Sequence, residues 1–204
     1  MLLNIFLALW RHLPATPTLL SAVCLVSTLP LFGGVVINEI HYHPSSEDVR
    51  EEFVELHNTG DETVNLEGWS LRRGVRLDFP KATLPPHGYL VVAADVAVFA
   101  AKYPAVQPIV GDWEGVLSNR GETIQLEDAN GKIIDSLSYA DEGEGSIRQR
   151  GLPRYEHQGW DWLAEHDGGG KSLELINPGI SNKHGQNWAA STVEEGTPGT
   201  VNSV

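Results

Sequence analysis

The segment HDGGGKSLELINPG, residues 166–179, contains Gly-Lys-Ser, the end of a phosphate-binding loop. The complete loop has another glycine five residues before the Gly-Lys pair, and here that position is Glu165, a carboxylate where the phosphate would sit. Leu173 and Leu175 then alternate with other residues until Pro178. This pattern predicts a short strand entered from a glycine turn, with Lys171 as a solvated charge, and argues against a nucleotide site.

Two histidines flank Tyr42 in the run INEIHYHP. Alternate residues of a strand share a face, so this spacing predicts two imidazoles side by side with Glu39 next to them, and zinc binds such ligands. The run specifies no further ligand, and polar residues at the rim of a sheet explain it equally well. Glu39, His41 and His43 are therefore metal candidates whose alternative is ordinary structural hydrogen bonding. For Glu52, Glu55 and Asn58 structural hydrogen bonding is likewise the alternative to metal binding.

Two acidic loops offer the oxygen ligands that calcium binds in extracellular modules. Their acids are Asp141, Glu142 and Glu144 in DEGEGS, and Asp161, Glu165 and Asp167 in DWLAEHDGGG. Neither loop has the spacing of an EF-hand, and solvated acidic loops explain the same residues. The sequence predicts no cofactor. Calcium binding by these acidic loops is the alternative.

Aromatic and cationic residues suggest two further kinds of binding. Trp160 and Trp162 are two residues apart and would form a sugar-stacking platform on an extended segment, although packing is the commoner role of tryptophan. Six arginines in two short runs would mark an anion-binding patch, or would pair with nearby acids. These are Arg72, Arg73, Arg76, Arg148, Arg150 and Arg154.

The sequence lacks the short motifs of common hydrolases. It contains no HExxH, no GxSxG and no cysteine outside its first 34 residues. We therefore predict that the protein is not an enzyme. A metal-dependent hydrolase remains an alternative, because carboxylate pairs assemble across distant strands.

The first 34 residues carry a single charged side chain, Arg11. The apolar block from Leu19 to Phe32 has the length of a signal-peptide core, and Pro30 argues against a membrane span. The segment predicts a cleaved export signal, with an uncleaved anchor as the alternative, and so an extracytoplasmic protein that is secreted, periplasmic or on the cell surface. Cleavage removes Cys24, the only cysteine, and with it any disulfide.

The net charge of residues 35–204 limits the classes of molecule that we expect this protein to bind. Removing the segment takes one of 14 Lys and Arg residues and none of 27 acids, which leaves a net charge of −14. This field repels nucleic acid and anionic lipid, so membrane contact is expected only through an uncleaved N-terminal segment. The predicted partner is a protein or cell-envelope component, with a glycan as the alternative, and the predicted state is a monomer.

The elements that position these residues are short strands. Runs such as VVINEIHYHP, EEFVELHN and GYLVVAAD are separated by turns, and GETIQLEDANGKIIDSLSY predicts a hairpin with its tight turn at Asn130-Gly131. About seven to nine such strands predict an all-β, two-sheet antiparallel sandwich. Apolar spacing after Asp95 predicts one short helix. Residues 141–171 are predicted as a loop or mobile excursion, and residues 172–177 as a returning strand.

Several of these motifs occur in the order of a known family. INEIHYHP, EFVELHN, VNLEGWSL and GETIQLEDANGKIID, between Val35 and Tyr139, resemble the lamin tail domain, an immunoglobulin-like sandwich of nuclear lamins and of bacterial exported proteins. SLEL, Trp188 and the closing GTPGTVN resemble the tails of the bacterial members.

The resemblance implies a non-catalytic module that mediates interactions. With the apolar N-terminal segment and the loop-rich composition after Tyr139, it gives an expected layout of a signal or anchor (residues 1–34), a lamin-tail-like sandwich (35–140) and a loop-rich extension with a returning strand (141–204). In lamins this fold serves contacts with proteins and nucleic acid. In bacterial relatives it accompanies enzymes and surface proteins, so the alternative function is a calcium- or carbohydrate-binding accessory of an extracellular hydrolase system. Glu39 and Glu55 match acids of the family's strands.

Overall fold

The computed structural model describes residues 34–141, 146–153 and 158–204, apart from the side chains of Ile147, Gln149 and Trp162. The predicted signal segment and the candidates Glu142, Glu144 and Arg154 lie outside the described residues. Phe32–Val204 forms one compact unit. Within the described residues, no helix is long and apolar enough to cross a membrane.

Short strands make up most of the described secondary structure. They are β1 Val35–His41, β2 Phe53–Asn58, β3 Val64–Asn65, β4 Ser70–Arg72, β5 Leu77–Asp78, β6 Thr83–Leu84, β7 Tyr89–Ala93, β8 Ile109–Gly111, β9 Glu122–Glu127, β10 Ile133–Tyr139, β11 Ile147–Arg150, β12 Trp160–Leu163, β13 Leu173–Leu175 and β14 Trp188–Ala190. The helix α1 is Val96–Lys102, and single 3-10 turns cover Val49–Glu51 and Gly185–Asn187. The predicted all-β class with one short helix is confirmed.

Two main sheets form the sandwich. The larger has the order β14-β13-β1-β2-β7-β8, and the smaller has the order β10-β9-β4-β5. All neighbours are antiparallel except β7 and β8, which are parallel. Two small sheets pair β3 with β6 and β11 with β12. The predicted returning strand is shorter than 172–177, and it places β13 beside β1, so the C-terminal part of the chain completes the larger sheet.

The core lies between the two main sheets. Apolar side chains of the larger sheet, such as Ile40 and Leu56, belong to one buried cluster with Leu71 and Ile124 of the smaller sheet. A second cluster lies on the outer face of the larger sheet, where Phe53, Val91 and Ala93 contact Phe99 of α1. Both faces of the sheet are therefore covered at this point, and every residue of β2 is buried.

The helix forms where its cap and apolar spacing predict it. The side chain of Asp95 accepts hydrogen bonds from the backbone N–H groups of Ala97 and Val98, each at 3.0 Å. Such a bond satisfies donors that a helix start leaves free. Phe99 is the buried anchor of this helix.

The β9–β10 hairpin forms as predicted, but its turn differs. Residues 128–132 make a five-residue connection in which Gly131 has a φ of +76° and Asn130 does not have a positive φ. The carboxylate of Asp128 accepts from the backbone of Asn130 and Lys132 and closes the loop. A side-chain cap therefore replaces the second left-handed residue that a tight turn requires.

Residues 141–171 contain a second departure from the prediction. β11 and β12 form an antiparallel hairpin in which Arg148 is opposite Trp162 and Arg150 is opposite Trp160. The composition of this region is polar and rich in glycine, which favours a loop. Pairing between the two aromatic and arginine-bearing segments forms strands there instead.

Candidate functional sites

Three glutamates form a row across the larger sheet. Glu39 of β1 lies opposite Glu174 of β13 on one side and Glu55 of β2 on the other. A bulge between Ile37 and Glu39 shifts the register of β1 at this point. All three side chains are fully buried, so the row requires hydrogen-bond donors.

The donors come from the end of the chain, residues 195–203, which we call the C-terminal strap. Its backbone N–H groups reach all three carboxylates. The bonds are Thr197 N to Glu39 (2.9 Å), Gly199 N to Glu55 (2.5 Å) and Ser203 N to Glu174 (2.7 Å). The hydroxyls of Thr197 and Ser203 also donate to Glu174. The GTPGTVN motif is therefore the segment that covers the acidic row.

Two asparagines fasten the strap at the bulge. Asn202 donates to the carbonyls of Asn38 and Leu175, at 3.0 and 2.8 Å. Asn38 in turn donates to the side-chain oxygen of Asn202 and to Glu55, both at 2.9 Å. Each residue thus contributes to a network that joins the first strand of the chain to its last residues.

Burial changes the pKa of two of these carboxyls, Glu39 and Glu55. Burial first, and then the neighbouring Glu55 carboxylate, raise the pKa of Glu39 well above its ordinary value. Burial also raises the pKa of Glu55 to about 8, although the bonds from Gly199 and Asn38 oppose the shift. At neutral pH part of the row is therefore protonated, which relieves repulsion between adjacent carboxylates. Glu39 and Glu55 thus accept hydrogen bonds from backbone N–H groups, which is the structural alternative to a metal site.

The two candidate histidines lie in different environments. His41 is fully buried, stacks on Phe53 at 5.4 Å between ring centroids, and has Nε2 3.4 Å from a carboxylate oxygen of Glu195. β1 ends at His41, so His43 lies beyond the strand. The Nδ1 of His43 is 2.5 Å from Asp167. The expected pair of imidazoles on one strand face does not form.

Glu195, the first residue of the strap, links these elements. Its carboxylate lies 2.5 Å from Nζ of Lys102, which is also 2.6 Å from Glu51. The contact with His41, followed by the bonds to Lys102, lowers the pKa of Glu195 to about 2, against the opposing effect of burial. Tyr103 donates to the backbone carbonyl of Glu195 at 2.8 Å. Helix α1 and the strap are thereby joined.

The acidic-loop candidates that the structure describes are divided among separate contacts. Glu165 pairs with Lys171 at 2.6 Å, so this lysine is an ion-pair partner and not the solvated charge that the sequence predicts. Asp167 contacts His43, and Asp161 lies on β12. Among the described residues, no group of three or more His, Cys, Asp or Glu side chains is arranged to hold a metal ion.

Glu52 and Asn58 also have structural contacts. Glu52 accepts from the backbone of Leu117 at 2.8 Å, and burial raises its pKa to about 7. Asn58 donates to the carbonyls of Glu62, Leu84 and Pro85. Glu52, just before β2, therefore holds the loop at Leu117, and Asn58, the last residue of β2, holds the segments at Glu62 and at Leu84 and Pro85.

The β11–β12 hairpin presents a cationic and aromatic surface. The guanidinium carbons of Arg148 and Arg150 lie 4.2 and 4.3 Å from the ring centroid of Trp160, within cation–π distance. Trp160 is 49% exposed and both arginines are exposed. Arg72 of the other basic run pairs instead with Asp78. Trp162 lies at a register position opposite Arg148.

The sequence does not reveal that Glu174 and the strap belong to one buried hydrogen-bond network. SLEL and GTPGTVN stand out as motifs, but their spacing gives no sign that one binds the other. Only the folded structure shows that Glu174 is buried opposite another acid, Glu39, and that it therefore requires hydrogen-bond donors.

Together, two packed sheets and one short helix define an all-β sandwich of the immunoglobulin-like type. Residues 31–141, more than half of the chain, match the model of the Lamin Tail Domain family. The chain therefore belongs to the lamin tail domain family. A search of curated proteins found no match.

Proposed function

We propose that this protein is a non-catalytic binding module that acts outside the cytoplasm and holds a protein or another component of the cell envelope. The family supports the non-catalytic part, since lamin tail domains are immunoglobulin-like modules without catalytic chemistry of their own. The apolar N-terminal segment supports export.

One observation supports a binding role above all. The acids and histidines with the spacing of reactive sites are taken up by internal contacts, as Glu39 is by Thr197 and Asp167 by His43. In contrast, the β11–β12 hairpin exposes Trp160, at 49%, and Leu163, at 39%. Exposed aromatic and apolar side chains beside cations are typical of surfaces that contact other molecules.

Capture of partners from the envelope of the source cell tests this function. Residues 32–204, immobilised through the N-terminal end, are expected to retain a defined envelope component, which then binds the purified module saturably in solution. The same module unfolded in denaturant and coupled to an identical support is the control. Measurable hydrolysis of glycan, peptide or phosphodiester bonds by the purified module would overturn the proposal.

Export is tested separately. The protein purified from outside the cytoplasm is expected to start near residue 35 when its intact mass is measured, and to sediment as a monomer. Recovery of the full-length chain from the cytosol alone would contradict the proposed location.

A further inference from the structure

We propose that the β11–β12 hairpin is a docking arm for a partner protein, which adds an extended strand of alternating acidic and apolar residues to the edge of the hairpin. This inference rests on the proposed binding function and names the surface and the partner chemistry for it. The arm is defined as residues 147–150 and 160–163.

One face of the arm carries positive charge. Arg148 and Arg150 both lie against Trp160, and among the described residues neither guanidinium forms an ion pair with a carboxylate. Arginine presents several donors in one plane and binds carboxylates through paired hydrogen bonds. Two such groups, which lie on an indole and have no acidic partner in the described part of the chain, favour a ligand that carries carboxylates.

The backbone of the arm favours a partner that is itself an extended strand. β11 and β12 pair only with each other in the described part of the chain, and within that part no strand pairs with the outer edge of either one. An extended peptide that pairs with such an edge gains main-chain hydrogen bonds, and its side chains alternate between the two faces. An edge of this kind selects a strand, which a sugar or a small anion cannot provide.

The reverse face of the arm presents an apolar side chain. Leu163 follows Trp160 by three residues and is 39% exposed, and Asp161 lies close to Gly151 on the side away from the indole. An added strand would therefore place alternate side chains beside the cations and the others beside Leu163. The partner chemistry that fits both faces is an acidic residue at every second position with an apolar residue between.

Other ligands fit the arm less well. Two guanidiniums already cover the ring of Trp160, so this indole does not offer the open face on which a sugar stacks. A long polyanion would meet the net charge of −14 that the chain carries beyond its N-terminal segment. A short acidic strand avoids this repulsion because it contacts only the arm.

A labelled peptide of alternating Glu and Val, about eight residues long to match a short strand, is the probe. We expect it to bind residues 32–204 saturably by fluorescence anisotropy, with weaker binding at high salt. The Gln-Val peptide tests charge, and a Glu-Val peptide with a central proline tests strand pairing, since proline removes a donor. Both are expected to bind weakly or not at all.

The double variant Arg148→Gln, Arg150→Gln is expected to weaken binding about tenfold, because two exposed ion pairs are lost. Arg120→Gln, Lys132→Gln removes the same charge from exposed positions elsewhere and is expected to bind like the parent. Amide chemical shifts are expected to change along β11 or β12 on titration. Equal losses of peptide affinity in both double variants, or chemical-shift changes confined to other strands, would overturn the proposal that this hairpin is the docking arm.

The outcomes separate this inference from the proposed function. If the envelope partner binds the Arg148→Gln, Arg150→Gln variant as tightly as the parent, the module binds through another surface and the arm is wrong. If capture yields no partner but the peptide binds with the expected pattern, the arm stands and the proposed function fails. If polygalacturonate binds and the peptide does not, the ligand is an acidic glycan and the proposal of a peptide strand is wrong.

Discussion

Glu39 and Glu55 lie opposite each other on β1 and β2, and each accepts a backbone hydrogen bond from the same C-terminal strap, Glu39 from Thr197 and Glu55 from Gly199. Adjacent acids would repel each other if both were charged, so their burial together depends on protonation and on the donors that the strap provides. Residues 195–203 are thus part of the fold.

The buried carboxyls make stability depend on pH. A raised pKa in the folded state stabilises the protein below the unfolded value, and that contribution is lost as the pH rises through the folded value. For Glu55 the interval runs from the ordinary 4.5 to about 8, and Glu39 shifts in the same direction. We expect the free energy of unfolding to fall across it by up to roughly 1.4 kcal/mol per pH unit for Glu55.

Urea denaturation followed by tryptophan fluorescence at several pH values measures this slope. Glu55→Gln is expected to flatten it, because the amide does not titrate. The lowered pKa of Glu195 acts only at the acidic end, where its contribution is lost as the pH falls toward 2. A stability that rises steadily from pH 5 to 8 would contradict the protonated row.

A side chain at Gly196 would disrupt the strap. This residue has a φ of +79°, and an added Cβ would collide with Oε1 of Glu39 and lie 2.5 Å from Oγ of Ser172. Gly131 is the matched control, because its φ is +76° and an added Cβ would meet nothing within 4 Å. We expect Gly131→Ala to cost about 1 kcal/mol for backbone strain alone, and Gly196→Ala at least about twice that.

Denaturant unfolding compares the two alanine variants. Limited proteolysis adds a local measure, since a released strap would expose the C-terminal end to cleavage. Similar losses of stability, with equal protection of the C-terminal end, would show that the close approach to Glu39 does not matter.

Asp135 joins the two sheets at the bulge. One oxygen of its carboxylate accepts from the backbone N–H of Ile37 at 2.8 Å and from Asn182 at 2.6 Å. Asp135→Ala would leave these donors without an acceptor, and we expect a loss of about 1–3 kcal/mol in the free energy of unfolding. Asp135→Asn keeps an acceptor oxygen and is expected to lose less. Equal stability of the alanine variant and the parent would contradict this role.

Calcium is expected to leave the melting temperature unchanged. Among the described acidic-loop residues, Glu165 is paired with Lys171 and Asp167 with His43, so their oxygens are not arranged around a common point. Thermal unfolding with calcium, with magnesium and with a chelator measures this directly. A rise specific to calcium and lost in Asp141→Asn would contradict the expectation, because a ligand that binds only the folded state stabilises it.

Local patterns were enough to predict the elements whose interactions are close in sequence. The helix follows from Asp95 as a cap and Phe99 as an apolar anchor, which interact within one turn. The β9–β10 hairpin follows from two apolar runs around Gly131. The motifs of the first sandwich strands also indicate the family, whose match to residues 31–141 confirms the resemblance.

Local sequence patterns did not predict contacts between residues that are far apart along the chain. The bond from Thr197 to Glu39 spans 158 positions, and neither residue type reveals the other as its partner. Lys171 has the sequence context of a free surface charge, but Glu165 lies next to it in space because glycines let the chain fold back between them. The β11–β12 strands formed in a segment whose polar composition favours a loop.

The sequence by itself determined the class of fold, the short helix, the family and the absence of reactive motifs, because these depend on residue type and on spacing along the chain. Only the tertiary structure decided that Glu174, Glu39 and Glu55 form one buried row, that the GTPGTVN end covers it, and that Arg148 and Arg150 lie on Trp160. Burial and strand register created these relationships, since both depend on which distant segments the folded chain brings together.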